Sequence, residues 1–378
     1  MSGPSSIPEL PTDEALTERL RRRLVDLVAV ASPSWHEKQL ADQLEQELSA
    51  HPALQVQRCG DNLRVQLRGV RELPRVLFCG HLDTVPAQDN PTPRVEGDRV
   101  YGLGSSDLKA GLAVLLELMT DLEPEALAVA PVFVFYAREE ISYRESGLIE
   151  ADEQWPDLRQ VDFGICVEPT GNAVELGCLG TLHALVTVAG TSAHSARPWL
   201  GRNAVHAGVP LLQRIADLPM RSIRAPESES IEFREVLNVT EIRGGLARNV
   251  LPPALHLNLN FRFGPDRTGE QACQFIRELV GDDGTVEFPD VSPSGRVCLE
   301  NPFCRALIEQ CQGEIRAKQA WTDVGRLTEW GIDSVSWGPG HPEKAHQQDE
   351  YASVSNMVEY ARRWWRFLHT AAPPKEGP

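Results

Sequence analysis

A chain of 378 residues is longer than one hydrophobic core usually organises, and its 42% hydrophobic and 24% charged content predicts an ordinary globular protein of two domains. Its formal net charge of -17 argues against nucleic acid or an anionic membrane as a partner. The opening MSGPSSIPELPTDEAL lacks a basic-then-apolar signal pattern, no run reaches the roughly 18 apolar residues of a spanning helix, and the eight cysteines include no CxxC, so a cytoplasmic protein with reduced thiols is expected.

TDEALTERLRRRLVDLVAVAS and EKQLADQLEQELSAH repeat apolar residues at helical spacing. PRVLFCGHLD, APVFVFYA and VDFGICVE are continuous apolar runs of strand length. Strands buried on both faces and separated by helices predict an α/β domain with a mostly parallel, mixed sheet. From about Gly180 the texture changes. TLHALVTVAG, EVLNVTEIRGG and ALHLNLNFRF alternate as strands do, while RNAVHAGVPLLQRIADL and GEQACQFIRELV read as helices, giving the β-α-β-β-α-β rhythm of an α+β, ferredoxin-like unit. After residue 297 the first texture returns with FCRALIEQC and TDVGRLTEWG as helices, DSVSWGPG as a strand entering a Gly/Pro loop, and SNMVEYARRWWRFLH as a last helix. The predicted organisation is therefore one domain over 1–179 and 297–378, with a second over 180–296 inserted in it.

Several acidic and histidine residues stand at the ends of the buried runs, where open α/β sheets build their sites. In CGHLDTVP, His81 and Asp83 share a face of an extended chain, which lets the carboxylate orient the imidazole as it does beside many metal-bound histidines; an ordinary surface turn is the plain alternative. Asp107 is predicted to open an amphipathic helix, where an N-cap is the plain alternative. Gly102 and Gly104 precede it without the third glycine of a dinucleotide fingerprint. Glu139 and Glu140 are adjacent, and neighbouring carboxylates repel unless solvated or bound to a cation. With a divalent cation one can ligate while the other takes a proton from water, whose pKa a metal lowers from roughly 15.7 to about 7. Glu168 ends a strand that Pro169 stops. His341 and His346 share the loop PGHPEKAHQQDEY, and spacing does not choose between them.

In order, GHLDTVP, GxxxxDLKAG, the EE pair, EPT, GTSAHSARP, RNVLP and AHQQDE resemble the motifs of the dinuclear zinc amidohydrolases, a family that includes desuccinylases, deacetylases and aminoacylases. The likeness runs from about residue 15 to about 370. It implies a zinc-peptidase-like catalytic domain carrying two zinc ions per subunit, with cobalt or manganese as alternatives in the second site. His81 and Glu168 would bind one ion, Glu140 and His346 the other, and Asp107 would bridge them, with a cis peptide after it. Glu139 would be the general acid/base and Asp83 would orient His81. The inserted unit resembles the family's lid and dimerisation domain, which implies a homodimer. His194 there would support the oxyanion across the interface, and Asn249 and Arg262 would hold substrate carboxylates.

KQAWTDVGRLTEWGI and GTSAHSARPWLGRNAVHA are most similar to the actinobacterial type of succinyl-diaminopimelate desuccinylase. The substrate this implies is a small anionic N-acyl amino acid, and the reaction is release of succinate from N-succinyl-L,L-2,6-diaminopimelate. AWTDVGR, centred on Asp323, replaces a Ser/Gly-rich segment of other desuccinylases and is expected near the substrate. An acetylornithine deacetylase or a small-residue carboxypeptidase is the alternative in the same class, and a non-catalytic metal or ligand binder the alternative in another.

Overall fold

The computed structural model describes residues 7–225 and 228–371. The first stretch forms α1 (Asp13–Ala29), α2 (Lys38–Ser49), β1 (Leu54–Cys59), β2 (Asn62–Leu67), β3 (Arg75–His81), β4 (Arg94–Glu96), β5 (Arg99–Tyr101), α3 (Ala110–Leu118), β6 (Ala130–Tyr136), α4 (Gly147–Gln154), β7 (Phe163–Cys166) and β8 (Val174–Leu176). Next come β9 (Gly180–Ala189), α5 (Ala204–Ala216), β10 (Arg221–Ala225), β11 (Ser228–Gly244), β12 (Ala254–Phe263), α6 (Gly269–Val280) and β13 (Thr285–Ser292). The last stretch holds α7 (Pro302–Gln310), β14 (Ile315–Ala317), α8 (Val324–Glu329), β15 (Ser334–Ser336), β16 (Tyr351–Ser353) and α9 (Val354–Thr370). By its internal contacts the chain divides into two compact units, one made of residues up to Leu176, Val297–Arg316 and Thr322 onward, the other of Gly177–Arg296 and Ala317–Trp321.

The first unit is built on an eight-stranded sheet in the order β1-β2-β6-β3-β7-β15-β8-β14. Its middle is parallel: β6, β3, β7 and β15 run the same way, and all but the first residue of β3 and every residue of β7 are buried. These are the continuous apolar runs of the sequence. Toward β1 and β8 the pairing becomes antiparallel. Of β1, only Leu54 is buried, so its polar LQVQRC gives no core signal. Leu16, Leu20, Leu24 and Leu27 form the buried stripe of α1, while Arg19 and Arg23 turn to Glu117 at the end of α3. The segment expected to be an amphipathic helix, α3, is instead buried at every position but Glu117. It packs in the interior of the unit rather than on its surface. Phe78 and Phe133 meet Trp364 of α9 at ring-centroid distances of 5.9 and 6.2 Å.

The second unit is an antiparallel five-stranded sheet, β10-β11-β12-β9-β13, with α5 and α6 packed on it. Leu182, Ala184, Val186 and Val188 of β9 and Leu255, Leu257, Leu259 and Phe261 of β12 are buried at alternate positions and form its core. Asn203 caps α5, and Thr268 with Gln271 forms a capping box on α6. This is the ferredoxin-like rhythm with β10 added at an edge. Among the described residues no helix is long and apolar enough to cross a membrane.

Candidate metal centre

The parallel strands deliver their last residues to one end of the sheet. His81 closes β3, Glu139 and Glu140 follow β6 by three and four positions, and Glu168 follows β7 by two. Asp107 stands in a wide helical turn, Ser105–Lys109, that precedes α3, with φ -113° and ψ 89°. Its carboxylate is therefore no helix cap. The Asp107–Leu108 peptide is cis. Two glycines of the WGPGH loop let main chains close around this end. A β-carbon on Gly340 would lie 2.1 Å from the Ser106 carbonyl oxygen, and one on Gly338 would lie 2.5 Å from that of Glu168.

The two oxygens of Asp107 face two imidazoles. His81 Nε2 lies 3.3 Å from Oδ1 and His346 Nε2 lies 3.4 Å from Oδ2. His346 Nε2 is also 2.8 Å from Glu140 Oε1. Asp107, Glu140 and His346 offer donor atoms all within 4.8 Å of one another, and so do His81, Glu139 and Glu140. Glu168 is in neither triad; it is buried, and its charge reaches Glu139. His341 is elsewhere, with Nε2 at 3.0 Å from Ser353 Oγ and its ring against Tyr351.

The donor set calls for a cation. His81 Nδ1 donates to the Asp83 main-chain carbonyl at 2.9 Å, which leaves the Nε2 lone pair pointed at the oxygen of Asp107. Lone pairs that face each other across 3.3 Å repel unless a proton or a metal lies between them. That separation is also roughly the edge of a tetrahedron of donors at about 2.0–2.1 Å from zinc. Among the described residues no lysine or arginine pairs with Asp107, Glu139 or Glu140. Imidazole and carboxylate donors in this arrangement fit a pair of divalent ions.

Hydrogen bonds that its Nε2 donates to Asp107 and Glu140 raise His346 to about 11, against the opposing effect of burial. Burial pulls His81 down, but Asp107 and Asp83 outweigh it and hold the imidazole well above its ordinary range. Burial, opposed by His81 and reinforced by Glu140 and Glu168, pushes Glu139 well above the usual carboxyl range.

Asp83 has a wider role than the sequence indicated. The direct partner of the imidazole is its main chain, with its carboxylate Oδ1 at 3.5 Å. The carboxylate itself accepts the N–H groups of Glu139 (2.9 Å) and Glu140 (3.0 Å) and the Ser34 hydroxyl (2.7 Å). Glu37, fully buried, accepts the N–H of Arg138 at 3.0 Å. Glu350 accepts those of Gly104, Ser106 and Asp107 at 2.8, 2.8 and 2.9 Å and so shapes the turn that presents Asp107. Sequence reading assigned Ser34, Glu37 and Glu350 no role. Glu350 lies within the AHQQDE motif, but nothing in its spacing marks it as an acceptor of main-chain bonds.

Asp323 was expected near substrate. It is fully buried, bonded to Tyr136 and Arg326, and so is turned into the interior. His194, Asn249 and Arg262 belong to the second unit. There His194 forms a bridge with Val250, its Nδ1 accepts from Ala196 N, and Ser195 N donates to the Asn249 carbonyl. Half-buried Arg262 donates to Asn260 Oδ1 at 3.1 Å.

Residues 77–370 match the model of peptidase family M20/M25/M40. The chain is 37% identical over 343 residues to a putative succinyl-diaminopimelate desuccinylase of Mycobacterium tuberculosis, covering 89% of this chain and 95% of the relative. It is 36% identical over 352 residues to the succinyl-diaminopimelate desuccinylase of Corynebacterium glutamicum, covering 90% and 93%. A tripeptidase of Staphylococcus aureus shares the fold at a TM-score of 0.75 and 20% identity, over 94% of this chain and 98% of that one.

Proposed function

The chain belongs to peptidase family M20/M25/M40, and from that membership we propose that it is a metal-dependent amide hydrolase that releases succinate from N-succinyl-L,L-2,6-diaminopimelate. The observation that carries this reading is the 36–37% identity over about nine-tenths of the chain to relatives named for that reaction. The converging carboxylates and imidazoles support the amide-hydrolase part of it independently.

The residues that would hold the metals are His81 and Glu168 for one ion, Glu140 and His346 for the other, and Asp107, whose two oxygens face the two histidines, between them. We assign two zinc ions, with cobalt or manganese able to replace the second. When bound, divalent ions supply Lewis-acid polarisation of the amide carbonyl and make water more acidic. Glu139 takes one proton from the attacking water as its oxygen bonds to the amide carbon. The same carboxyl returns that proton to the nitrogen as the C–N bond breaks, so succinate and the free amine leave. Asp83 keeps Glu139 and Glu140 in place through their N–H groups, and its main chain fixes the His81 tautomer.

In the second unit, His194 would support the oxyanion across a homodimer interface, and Asn249 and Arg262 would bind substrate carboxylates. An anionic substrate is compatible with a net charge of -17, because recognition follows the local field, to which bound divalent ions and Arg262 would contribute positive charge.

The test is amine release from N-succinyl-L,L-diaminopimelate by zinc-loaded protein, beside N-acetylornithine and C-terminal dipeptides, with Glu139→Gln in parallel. We expect preference for the succinyl substrate and a roughly 10²–10⁴-fold loss of kcat in the variant at unchanged metal content. Turnover of another amide alone would move the chain to a sister specificity. Full activity of Glu139→Gln would remove Glu139 from the chemistry.

A further inference from the structure

The segment that carries Glu139 and Glu140 runs from Tyr136, the last residue of β6, to Tyr143, which opens the short turn Tyr143–Glu145. Inside it four successive N–H groups are already held, Ala137 by Asn62, Arg138 by Glu37, and the two glutamates by Asp83. Its ends are held by something else. Asp323, just ahead of α8, and Arg326 within it are 0% and 1% exposed, and Arg326 Nε donates to Asp323 Oδ1 at 2.7 Å. At the entry of the segment the Tyr136 hydroxyl donates to Asp323 Oδ2 at 2.6 Å. At the exit Arg326 Nη2 donates to the Tyr143 carbonyl at 2.7 Å, and the guanidinium lies 3.9 Å from the centre of the Tyr143 ring. Glu329, a further three positions along, accepts the Tyr143 hydroxyl at 2.6 Å. Residues 323, 326 and 329 follow the three-residue spacing of a single helix face.

A buried ion pair often stabilises a fold no more than well-packed apolar residues of the same volume would. Apolar residues would fill this space, but they would make none of these directional bonds. We propose that the Asp323–Arg326 pair is a positioning element for the metal centre: from one face of α8 it fastens both ends of the 137–142 segment and so sets where Glu139 and Glu140 stand relative to His81 and His346. The proposal rests on reading Glu140 as a ligand and Glu139 as the base. It also gives AWTDVGR a role that is distinct from contact with substrate.

The experiment compares the full chain with Tyr136→Phe, Arg326→Lys and Arg326→Met. Thermal melts establish folding, cobalt titration reads affinity and the visible d–d spectrum, and steady-state kinetics read kcat and KM separately. In folded Tyr136→Phe we expect cobalt affinity lowered by about 10–100-fold, the size of effect seen when the supports of metal ligands are removed, with a changed spectrum. We expect kcat to fall while KM holds. Arg326→Met should show the larger effect, and Arg326→Lys or added guanidinium should restore part of it. A lower melting temperature with wild-type cobalt affinity, spectrum and kcat would overturn the proposal and leave the pair as packing. Tyr136→Phe decides the matter if Arg326→Met does not fold. The cobalt arm uses no substrate, so a wild type that binds cobalt yet cleaves no N-acyl amine would sink the functional reading and still leave the positioning role decided.

Discussion

At His346 a single nitrogen is shared by two competing demands. Asp107 and Glu140 hold its proton up to a pKa of about 11, from an ordinary 6.5, so while those carboxylates stay ionised the ion pairs add their full stability below pH 6.5 and lose it as pH rises through about 11. A metal needs the same nitrogen neutral. Uptake of zinc should therefore release at least about one proton, and apparent affinity should strengthen roughly tenfold per unit between about pH 6 and 8. Calorimetry in buffers of different ionisation enthalpy counts the protons, and an affinity that does not change with pH would show that the imidazole is not a ligand. The convergence of these side chains was partly legible in the sequence, because His81, Glu139, Glu140 and Glu168 each stand at or near the end of an apolar run, whereas Asp107 stands at the start of one and reads equally as a helix cap. His346 was separated from His341 only by resemblance. Ser34, Glu37 and Glu350 were not legible, since they act on main-chain N–H groups that only the folded chain brings near them.

Among the elements, the turn before α3 depends on one distant carboxylate. Glu350 is 1% exposed and takes three N–H bonds from Gly104, Ser106 and Asp107. Glu350→Ala leaves those groups without their acceptor and should lower unfolding stability by on the order of 2–4 kcal/mol. Urea denaturation of the metal-free protein measures it, and an unchanged midpoint would mean that water replaces the carboxylate. The elements that sequence alone located are those with strong periodicity or unbroken apolar runs, such as α1, β3, β6 and β12. β4, β5, β8, β14 and β16, three residues each, are too short to carry a period and were not located; β15 is as short and was read only from its place before a Gly/Pro loop. The helical pattern after Asp107 was recognised, but its apolar residues surround the axis, which is why α3 is interior rather than amphipathic.

For the whole molecule, the proposed homodimer has a candidate surface in the second unit. Val205 and Val209, four apart on α5, are 37% and 53% exposed, and Ile242 near the end of β11 is 58% exposed. Light scattering of the purified protein should give twice the 41.8 kDa of one chain, and Val209→Glu with Ile242→Glu should return it to the mass of one. A wild type that scatters as a single chain at micromolar concentration would rule the dimer out.

The order in which the first unit collects its parts has a consequence for its birth on the ribosome. Glu140 and His346, which meet at 2.8 Å, are 206 residues apart in sequence, with the whole second unit synthesised between them. β15, which lies between β7 and β8 in the large sheet, is made in the same late stretch. At about 5–20 residues per second the nascent carboxylates wait on the order of 10–40 s for the partners that neutralise them. During that interval the sheet lacks β15 and Glu140 lacks the imidazole of His346. The cluster is thus a late product of synthesis: a nascent chain cannot form it until residue 346 of 378 has been made.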